Sequence, residues 1–173
     1  MEHRQYKELY AAGGCFWGTE RVFQSLNGVT ETTVGYANGH TEHPTYRQVC
    51  TDTTGHRETV RIIYDPQIIS LEKLLKAFFI CVDTSVANRQ GADIGSQYQT
   101  GIYYTDEETG KAVRAYFEEE KKRHSIFLVE CGSMKNFYDA EEYHQDYLIK
   151  NPAGYCHITR EEYEAVRKLN DEV

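Results

Sequence analysis

The chain has 173 residues, of which 40% are hydrophobic and 27% charged, and its formal net charge is −8. This length and balance are typical of one globular domain with a sizeable core. The acidic charge argues against a surface for nucleic acid or anionic membranes, and no apolar run approaches the ~20 residues of a membrane-spanning helix. The first residues show no signal-peptide pattern, so we expect a cytoplasmic protein.

The first half of the chain alternates predicted strands and helices. Alternating or short apolar runs predict three strands, at residues 7–12, 29–36 and 56–64. Helical spacing of apolar residues predicts helices at 16–26 and 71–82, with a short helical turn at 45–50. Residues 83–99 have no periodicity, and an irregular stretch of this length in a compact domain is more often functional than idle.

Three capping boxes predict the helices of the second half. Each box is a Thr or Asp followed three residues later by Glu, and together they start helices at 105 (to about 124), 139 (to about 149) and 159. Two further strands are predicted at 102–104 and 127–131. Strands and helices mixed in this way predict an α/β (α+β) two-layer sandwich, with a mixed central sheet flanked by helices and a ferredoxin-like core.

Five cysteines are spread along the chain without a close pair: Cys15, Cys50, Cys81, Cys131 and Cys156. An odd count at wide spacing disfavours both a disulfide framework and a structural zinc site. We therefore expect reduced thiols with one or two reactive members and no metal. Cys50, Cys81 and Cys131 lie in or beside apolar patterns, which predicts that they are buried and chemically idle.

Cys15 stands between the first strand and the first helix, within Gly13-Gly14-Cys15-Phe16-Trp17-Gly18. The two glycines permit a tight turn, and the unpaired N–H groups of a helix start favour a thiolate, the nucleophilic form of cysteine. The alternative is that Cys15 is a small buried apolar residue. Phe16 and Trp17 either wall a pocket for a small apolar group or pack in the core.

Glu58 lies on the same face of its predicted strand as Val60 and Ile62. A carboxyl buried there would have a raised pKa and would be able to donate a proton near neutral pH. The alternative is an exposed glutamate at the start of the strand. His144 has no partner at metal-ligand spacing, which favours a structural role.

Six sequence blocks then appear in one order: Gly14-Cys15-Phe16-Trp17-Gly18, Pro44 to Arg47, Thr54 to Glu58, Arg89 to Tyr98, Tyr143 to Tyr147, and Asn151 to Cys156. Together they resemble the peptide methionine sulfoxide reductases of the A type over about residues 8 to 158. The resemblance implies a thiol oxidoreductase that reduces methionine S-sulfoxide, free and in proteins, and repairs proteins after oxidative stress.

The resemblance also implies catalytic roles, position by position. Cys15 is the nucleophile, which becomes a sulfenic acid, and Glu58 is the proton donor to the sulfoxide oxygen. Tyr46 and Tyr98 donate hydrogen bonds to that oxygen. Cys156 is the resolving cysteine, whose disulfide with Cys15 is reopened by thioredoxin or another dithiol.

The implied substrate-binding residues are Phe16 and Trp17, for the terminal methyl group, and Asp93, for the substrate main chain. No metal or organic cofactor is expected. Ile94 stands where relatives commonly have histidine, and no cysteine follows Cys156. We expect residues 1–158 to form the catalytic domain and 159–173 a C-terminal helix, which either completes that domain or links it to a second one.

Two other classes of protein fit parts of the pattern. A Cys/His hydrolase would use Cys15 as nucleophile and His56 or His144 as base, would form an acyl-enzyme and would need no electron donor. A thiol redox sensor would switch through a disulfide between Cys15 and Cys156 and would turn over no sulfoxide.

Overall fold

The computed structural model describes residues 4–172; residues 1–3 and 173, with the parts of the predicted domain limits that fall on them, lie outside it. The strands are β1 Lys7–Ala12, β2 Val29–Ala37, β3 Arg57–Tyr64, β4 Arg89–Gln90, β5 Asp93–Ile94, β6 Gly101–Tyr104, β7 Glu130–Ser133 and β8 Phe137–Asp139. The α-helices are α1 Phe16–Gln24, α2 Tyr46–Val49, α3 Leu71–Cys81, α4 Glu107–Lys121, α5 Tyr147–Lys150 and α6 Arg160–Lys168. Short 3-10 helices cover Ser96–Tyr98, Glu142–His144 and Leu169–Asp171.

Six strands form one mixed sheet in the order β7-β6-β1-β3-β2-β8. Neighbours are antiparallel except β6 and β7, which run parallel. The inner strands β6-β1-β3-β2, with α1 after β1 and α3 after β3, have the order of a ferredoxin-like core. The prediction of a mixed sheet with this core is confirmed. Within residues 4–172, no helix is long and apolar enough to cross a membrane.

The core forms where the helices cover the sheet. On β3 the side chains of Glu58, Val60, Ile62 and Tyr64 are all buried, as the period-2 pattern predicts. The helix α3 begins at the cap Ser70 and contributes buried Leu74, Leu75 and Phe78 from one face. Each such apolar side chain contributes roughly 1.5–3 kcal/mol on burial, so the central strands and helices form a firm base for the site.

Two predicted helix starts differ from the structure. The helix α4 is capped by Asp106, whose carboxylate accepts from the Thr109 backbone N–H at 2.8 Å, whereas Thr105 donates its hydroxyl to Glu8. The box predicted at Asp139 is wrong, because Asp139 is the last residue of β8 and pairs with Gly35 in the sheet. Tertiary strand pairing therefore overrides a local capping pattern.

The chain between β8 and α6 is mostly irregular. Where one helix was predicted from 139 to 149, a 3-10 turn and the four-residue α5 are separated by Asp146, whose φ of 53° is left-handed. The third box is correct, since Thr159 and Glu162 cap α6 reciprocally. The predicted strand at 127–131 begins only at Glu130. The helix α6 packs against α1 and α3.

Candidate active site

Cys15 is the N-cap residue of α1, directly after the turn that ends β1. The turn requires glycine at Gly14, where φ is +89° and a Cβ would lie 2.8 Å from the Gln90 Cβ. The thiol of Cys15 is buried at 7% exposure. Strand, turn and helix thus place one sulfur at the edge of the core, beneath the irregular segments.

The surroundings of Cys15 favour the thiol rather than the thiolate. Burial raises its pKa well above the usual range, and the charges of Glu58 and Asp93 add to this effect. The backbone N–H groups of Trp17 and Gly18 oppose the rise in pKa, but no capping hydrogen bond to the Cys15 side chain forms. Desolvation therefore outweighs the helix N-terminus, which by itself favours a thiolate.

Glu58 lies on β3 opposite Tyr36 and is only 1% exposed. Its Oε1 accepts a hydrogen bond from the Phe16 backbone N–H at 3.1 Å. Its Oε2 is buried and has no hydrogen-bond partner among residues 4–172. Burial raises the pKa of Glu58 to about 8, so that the side chain carries a proton at neutral pH. A protonated carboxyl therefore lies beside Cys15, and one of its oxygens has no hydrogen-bond partner within residues 4–172.

Two phenols lie within electrostatic range of this carboxyl. Tyr46 begins α2, and its backbone N–H donates to Glu141 at 2.9 Å; Tyr98 ends the 3-10 helix that packs against β3. Burial is the main cause that raises the pKa of both phenols, and the charge of Glu58 is the next largest. Each therefore keeps its proton and can donate a hydrogen bond near Glu58, and Tyr98 also lies within electrostatic range of Cys15.

An aromatic wall stands beside Cys15. The indole of Trp17 stacks on Tyr147 with centroids 3.7 Å apart, and its Nε1–H donates to His144 Nδ1 at 3.0 Å. Trp17 is half-buried and so can present a face to a ligand, whereas Phe16 is 1% exposed and packs in the core. The two aromatic residues after Cys15 thus have different surroundings.

Asp93 and Cys156 belong to two segments that meet above α1. Tyr155 donates its hydroxyl to Asp93 Oδ2 at 2.9 Å, which ties β5 to the chain before Cys156. A Cβ placed on Gly18 would lie 2.9 Å from Cys156 Sγ, so this sulfur rests on the first turn of α1. The side chain of Ile94, next to Asp93, is 72% exposed.

The two histidines considered as hydrolytic bases are engaged elsewhere. His56 accepts from the Gly39 N–H at 3.1 Å, and its Nε2 lies 2.8 Å from the Thr41 carbonyl, to which it donates. His144 uses Nδ1 for the Trp17 indole. Within residues 4–172 neither ring makes a hydrogen bond to the Cys15 thiol, which disfavours the hydrolase. Among the described residues, no group of three His, Cys, Asp or Glu could hold a metal ion.

All five cysteines are free thiols, and all lie within residues 4–172. The prediction that Cys50 and Cys131 are buried is wrong, since both are exposed: Cys50 follows the short α2, and Cys131 lies on the edge strand β7. Cys81 is half-buried, and burial raises its pKa to about 12.

Glu20 is a buried acid that our sequence interpretation missed. It is 2% exposed, its Oε1 accepts from the Asp146 N–H at 2.8 Å, and its Oε2 accepts from the Thr32 hydroxyl at 2.8 Å. Burial raises the pKa of Glu20 to about 7. The residue fastens α1 to the start of α5, where Tyr147 stacks on Trp17. Its position four residues after Phe16, on the buried face of α1, is the sequence signal for it.

Comparison with known proteins agrees with this arrangement. Residues 7–172 match the sequence model of the family described as Peptide methionine sulfoxide reductase. The Clostridium acetobutylicum protein named peptide methionine sulfoxide reductase MsrA is 53% identical over 156 residues, which cover 90% of this chain and 96% of that protein. Reduced Mxr1 from Saccharomyces cerevisiae superposes with a TM-score of 0.85 at 35% identity, covering 91% of this chain and 93% of Mxr1. A structure of Mxr1 in complex with Trx2 has a TM-score of 0.60 at 26% identity, covering 84% and 87% of the two chains.

A ferredoxin-like α/β domain of this topology, with a buried cysteine and a protonated carboxyl side by side, defines an enzyme of the thiol oxidoreductase class. The family match extends over nearly the whole chain. The chain therefore belongs to the peptide methionine sulfoxide reductase family and is related to its MsrA members.

Proposed function

We propose that this enzyme reduces the S epimer of methionine sulfoxide, both as the free amino acid and in oxidised proteins, and so repairs oxidative damage. The single observation that carries the proposal is the pairing of Cys15 with Glu58. The carboxyl is buried, has one oxygen fixed by the Phe16 N–H and the other unpartnered among residues 4–172, and has a pKa raised to about 8.

The first step joins these groups at one substrate. The sulfoxide sulfur is a poor electrophile until its oxygen is protonated or strongly hydrogen-bonded. Glu58 donates the proton, Tyr46 and Tyr98 donate hydrogen bonds to the same oxygen, and one such donor contributes ~3 kcal/mol. Trp17 contacts the terminal methyl group and Asp93 the substrate main chain.

The buried thiol of Cys15 requires the substrate for its activation. The partly positive sulfur of a bound sulfoxide stabilises a neighbouring thiolate, and transfer of the Glu58 proton to the oxygen favours attack. The Cys15 sulfur attacks and gives up its proton, which replaces the one that Glu58 donated. The S–O bond of the sulfoxide breaks, its oxygen ends on Cys15 as a sulfenic acid, and methionine is released.

Cys156 then resolves the sulfenic acid by forming a disulfide with Cys15. Its place against Gly18, on the turn that carries Cys15, supports this role. A dithiol reopens the disulfide by exchange. The fold shared with Mxr1, for which a complex with Trx2 is known, supports thioredoxin as that dithiol.

We also propose that residues 1–158 form the catalytic domain, in the cytoplasm, and that 159–173 form a C-terminal helix that docks on it. The packing of α6 against α1 and α3 supports a helix that belongs to this domain rather than a free linker.

The deciding experiment is dithiol-dependent reduction of separated sulfoxide epimers. We expect turnover of free and peptide-bound methionine S-sulfoxide, no turnover of the R epimer, and no sustained turnover without dithiol. Equal use of both epimers would refute the stereochemical assignment. A redox sensor would instead form the Cys15–Cys156 disulfide with peroxide and release no methionine from either epimer.

A further inference from the structure

His157, the residue after Cys156, is held in one orientation and one tautomer. Its Nε2 lies 2.8 Å from the carbonyl oxygen of Gly13, in the turn that precedes Cys15. A carbonyl can only accept, so Nε2 carries the hydrogen and donates it. The other nitrogen, Nδ1, therefore presents a lone pair in the neutral ring.

That lone pair has no partner. Nδ1 is buried and makes no hydrogen bond within residues 4–172, although the ring as a whole is half-buried. Buried polar atoms without partners are uncommon in proteins, and one beside a reactive group is often there for its chemistry. The hydrogen bond to Gly13 explains why the ring is anchored, but not why a basic nitrogen faces inward.

The lone pair and the resolving sulfur converge on one point of α1. A Cβ placed on Gly18 would lie 3.2 Å from His157 Nδ1 and 2.9 Å from Cys156 Sγ. The backbone N–H of Gly18 in turn acts on the Cys15 sulfur. Gly18, three residues after Cys15, thus leaves space for both groups on the first turn of α1, and any larger residue would displace them.

We propose that His157 is the catalytic base of the resolving step, a role that rests on the proposed function of Cys156. His157 Nδ1 takes the proton from Cys156 as its sulfur attacks the sulfur of the Cys15 sulfenic acid. The S–S bond forms, the S–O bond of Cys15 breaks, and the departing oxygen takes up the proton and leaves as water. Cys156 is oxidised from thiol to disulfide, Cys15 is reduced from sulfenic acid to disulfide, and no external oxidant is required.

The electrostatic surroundings keep His157 in the basic form. Burial lowers its pKa below the ordinary value, and this outweighs the Gly13 carbonyl, Asp93 of β5 and Glu162 of α6, which all raise it. The ring is therefore neutral at pH 7, as a base must be.

The substitution His157→Gln tests the base at Nδ1 separately from the hydrogen bond of Nε2 to Gly13 that anchors the ring. A glutamine amide can still donate to the Gly13 carbonyl in place of Nε2–H, but it supplies no base at Nδ1. His124→Gln, at the end of α4 beside Glu120, is the matched control. Each reduced enzyme is mixed with one equivalent of methionine sulfoxide. Samples quenched with an alkylating reagent are then analysed for released methionine and for the Cys15–Cys156 disulfide.

We expect His157→Gln to release methionine at the wild-type rate. Disulfide formation at pH 7 should be about 10²-fold slower than in the wild type, and at least tenfold slower. The deficit should shrink as pH rises, because hydroxide in solution can then take the proton in place of the missing base. His124→Gln should match wild type in both steps. A wild-type rate of disulfide formation in His157→Gln at pH 7 would overturn the proposal, and so would an equal loss of both steps, which would indicate structural support of the Gly13 turn. If the wild type releases methionine but forms no Cys15–Cys156 disulfide, the resolving role of Cys156 fails, and the base with it.

Discussion

The candidate site has two parts that are built differently. The floor consists of the turn at residues 12–18 and the strand β3, and it carries Cys15 and Glu58. The wall consists of the irregular segments 83–99 and 140–158, and it carries Asp93, Tyr98, Tyr147 and Cys156. The floor lies in the sheet and the main core, whereas the wall is attached to the floor and to α1, which continues from it, by individual side-chain hydrogen bonds such as His157 to Gly13 and Asp146 to Glu20.

This difference indicates that the floor and the wall have different roles in the proposed reaction. A single hydrogen bond contributes ~0.5–1.5 kcal/mol net, so segments of the wall can move at small cost in free energy, while the floor cannot move without disrupting the core. Fixed geometry suits the proposed reduction, in which the thiol must reach the sulfoxide sulfur while the acid reaches the oxygen bonded to it. Some mobility suits resolution, in which Cys156 must reach Cys15. Substitutions in the floor should therefore stop the first step, whereas substitutions in the wall, other than at Tyr98, should affect binding or recycling.

The largest effect is expected for Cys15→Ser. The variant should fold, since a hydroxyl replaces a thiol of similar size, but it should release no methionine, because serine is a far weaker nucleophile. Methionine released in one turnover is the measurement, with Cys131→Ser on the edge strand as the control. Appreciable release by Cys15→Ser would show that the floor does not carry the nucleophile.

Cys156→Ser should abolish thioredoxin-driven turnover while one turnover of methionine release proceeds at close to normal yield. The Cys15 sulfenic acid should then persist, because no cysteine follows Cys156 in the chain. A sulfenic-acid trap and the count of methionine per enzyme provide the measurement. Normal cycling would transfer the resolving role to another cysteine, with Cys50, which is exposed and lies beside Tyr46, tested first.

The same division separates what the sequence predicted from what it did not. The floor follows from local patterns: the period-2 run of β3 put Glu58 on one face with Val60 and Ile62, which left burial and exposure as the two alternatives, and the glycines before Cys15 correctly predicted the turn. The wall has no periodicity, so its residues came from resemblance alone. His157 and Glu20 were missed because their roles depend on hydrogen bonds to Gly13 and Asp146, which are remote in sequence. The choice between a thiolate and a buried thiol at Cys15 stayed open, because desolvation is not visible in a motif.

Glu58→Gln should slow methionine release by about 10²- to 10³-fold, because an amide cannot protonate the sulfoxide oxygen. Alkylation of Cys15 by a neutral reagent should stay nearly unchanged at pH 7, because the protonated Glu58 carboxyl carries no charge there. Rates of both reactions measured on one preparation separate the two roles. Equal losses in both would make Glu58 a group that activates the thiol.

The pH dependence of protein stability should also report the protonation state of Glu58 in the floor. The pKa of Glu58 is about 8 in the fold against an ordinary 4.5, so the folded state binds the proton more tightly than the unfolded state. The contribution of this group to stability is fully present below pH 4.5 and is lost as pH rises through 8. The Tm of Glu58→Gln relative to wild type should therefore increase from pH 5 to pH 9. A constant difference over that range would mean that Glu58 is not protonated in the native enzyme.

The smallest effect is expected where the wall is fastened to the floor, in Glu20→Gln. The amide can keep one of the two acceptor contacts, so the segment around Asp146 and Tyr147 should loosen without unfolding. The loss of about 1 kcal/mol corresponds to roughly a fivefold rise in KM for the sulfoxide, with kcat and Cys15 alkylation nearly unchanged.

Trp17 is the single tryptophan of the chain, so its fluorescence reports the stacking on Tyr147 directly. Its emission should shift in Glu20→Gln but not in the control Glu31→Gln, an exposed acid on β2. Because the pKa of Glu20 is about 7, the wild-type emission should also change as pH falls through 7, while that of Glu20→Gln should stay constant. An unchanged KM together with unchanged emission would show that the wall holds its shape without Glu20.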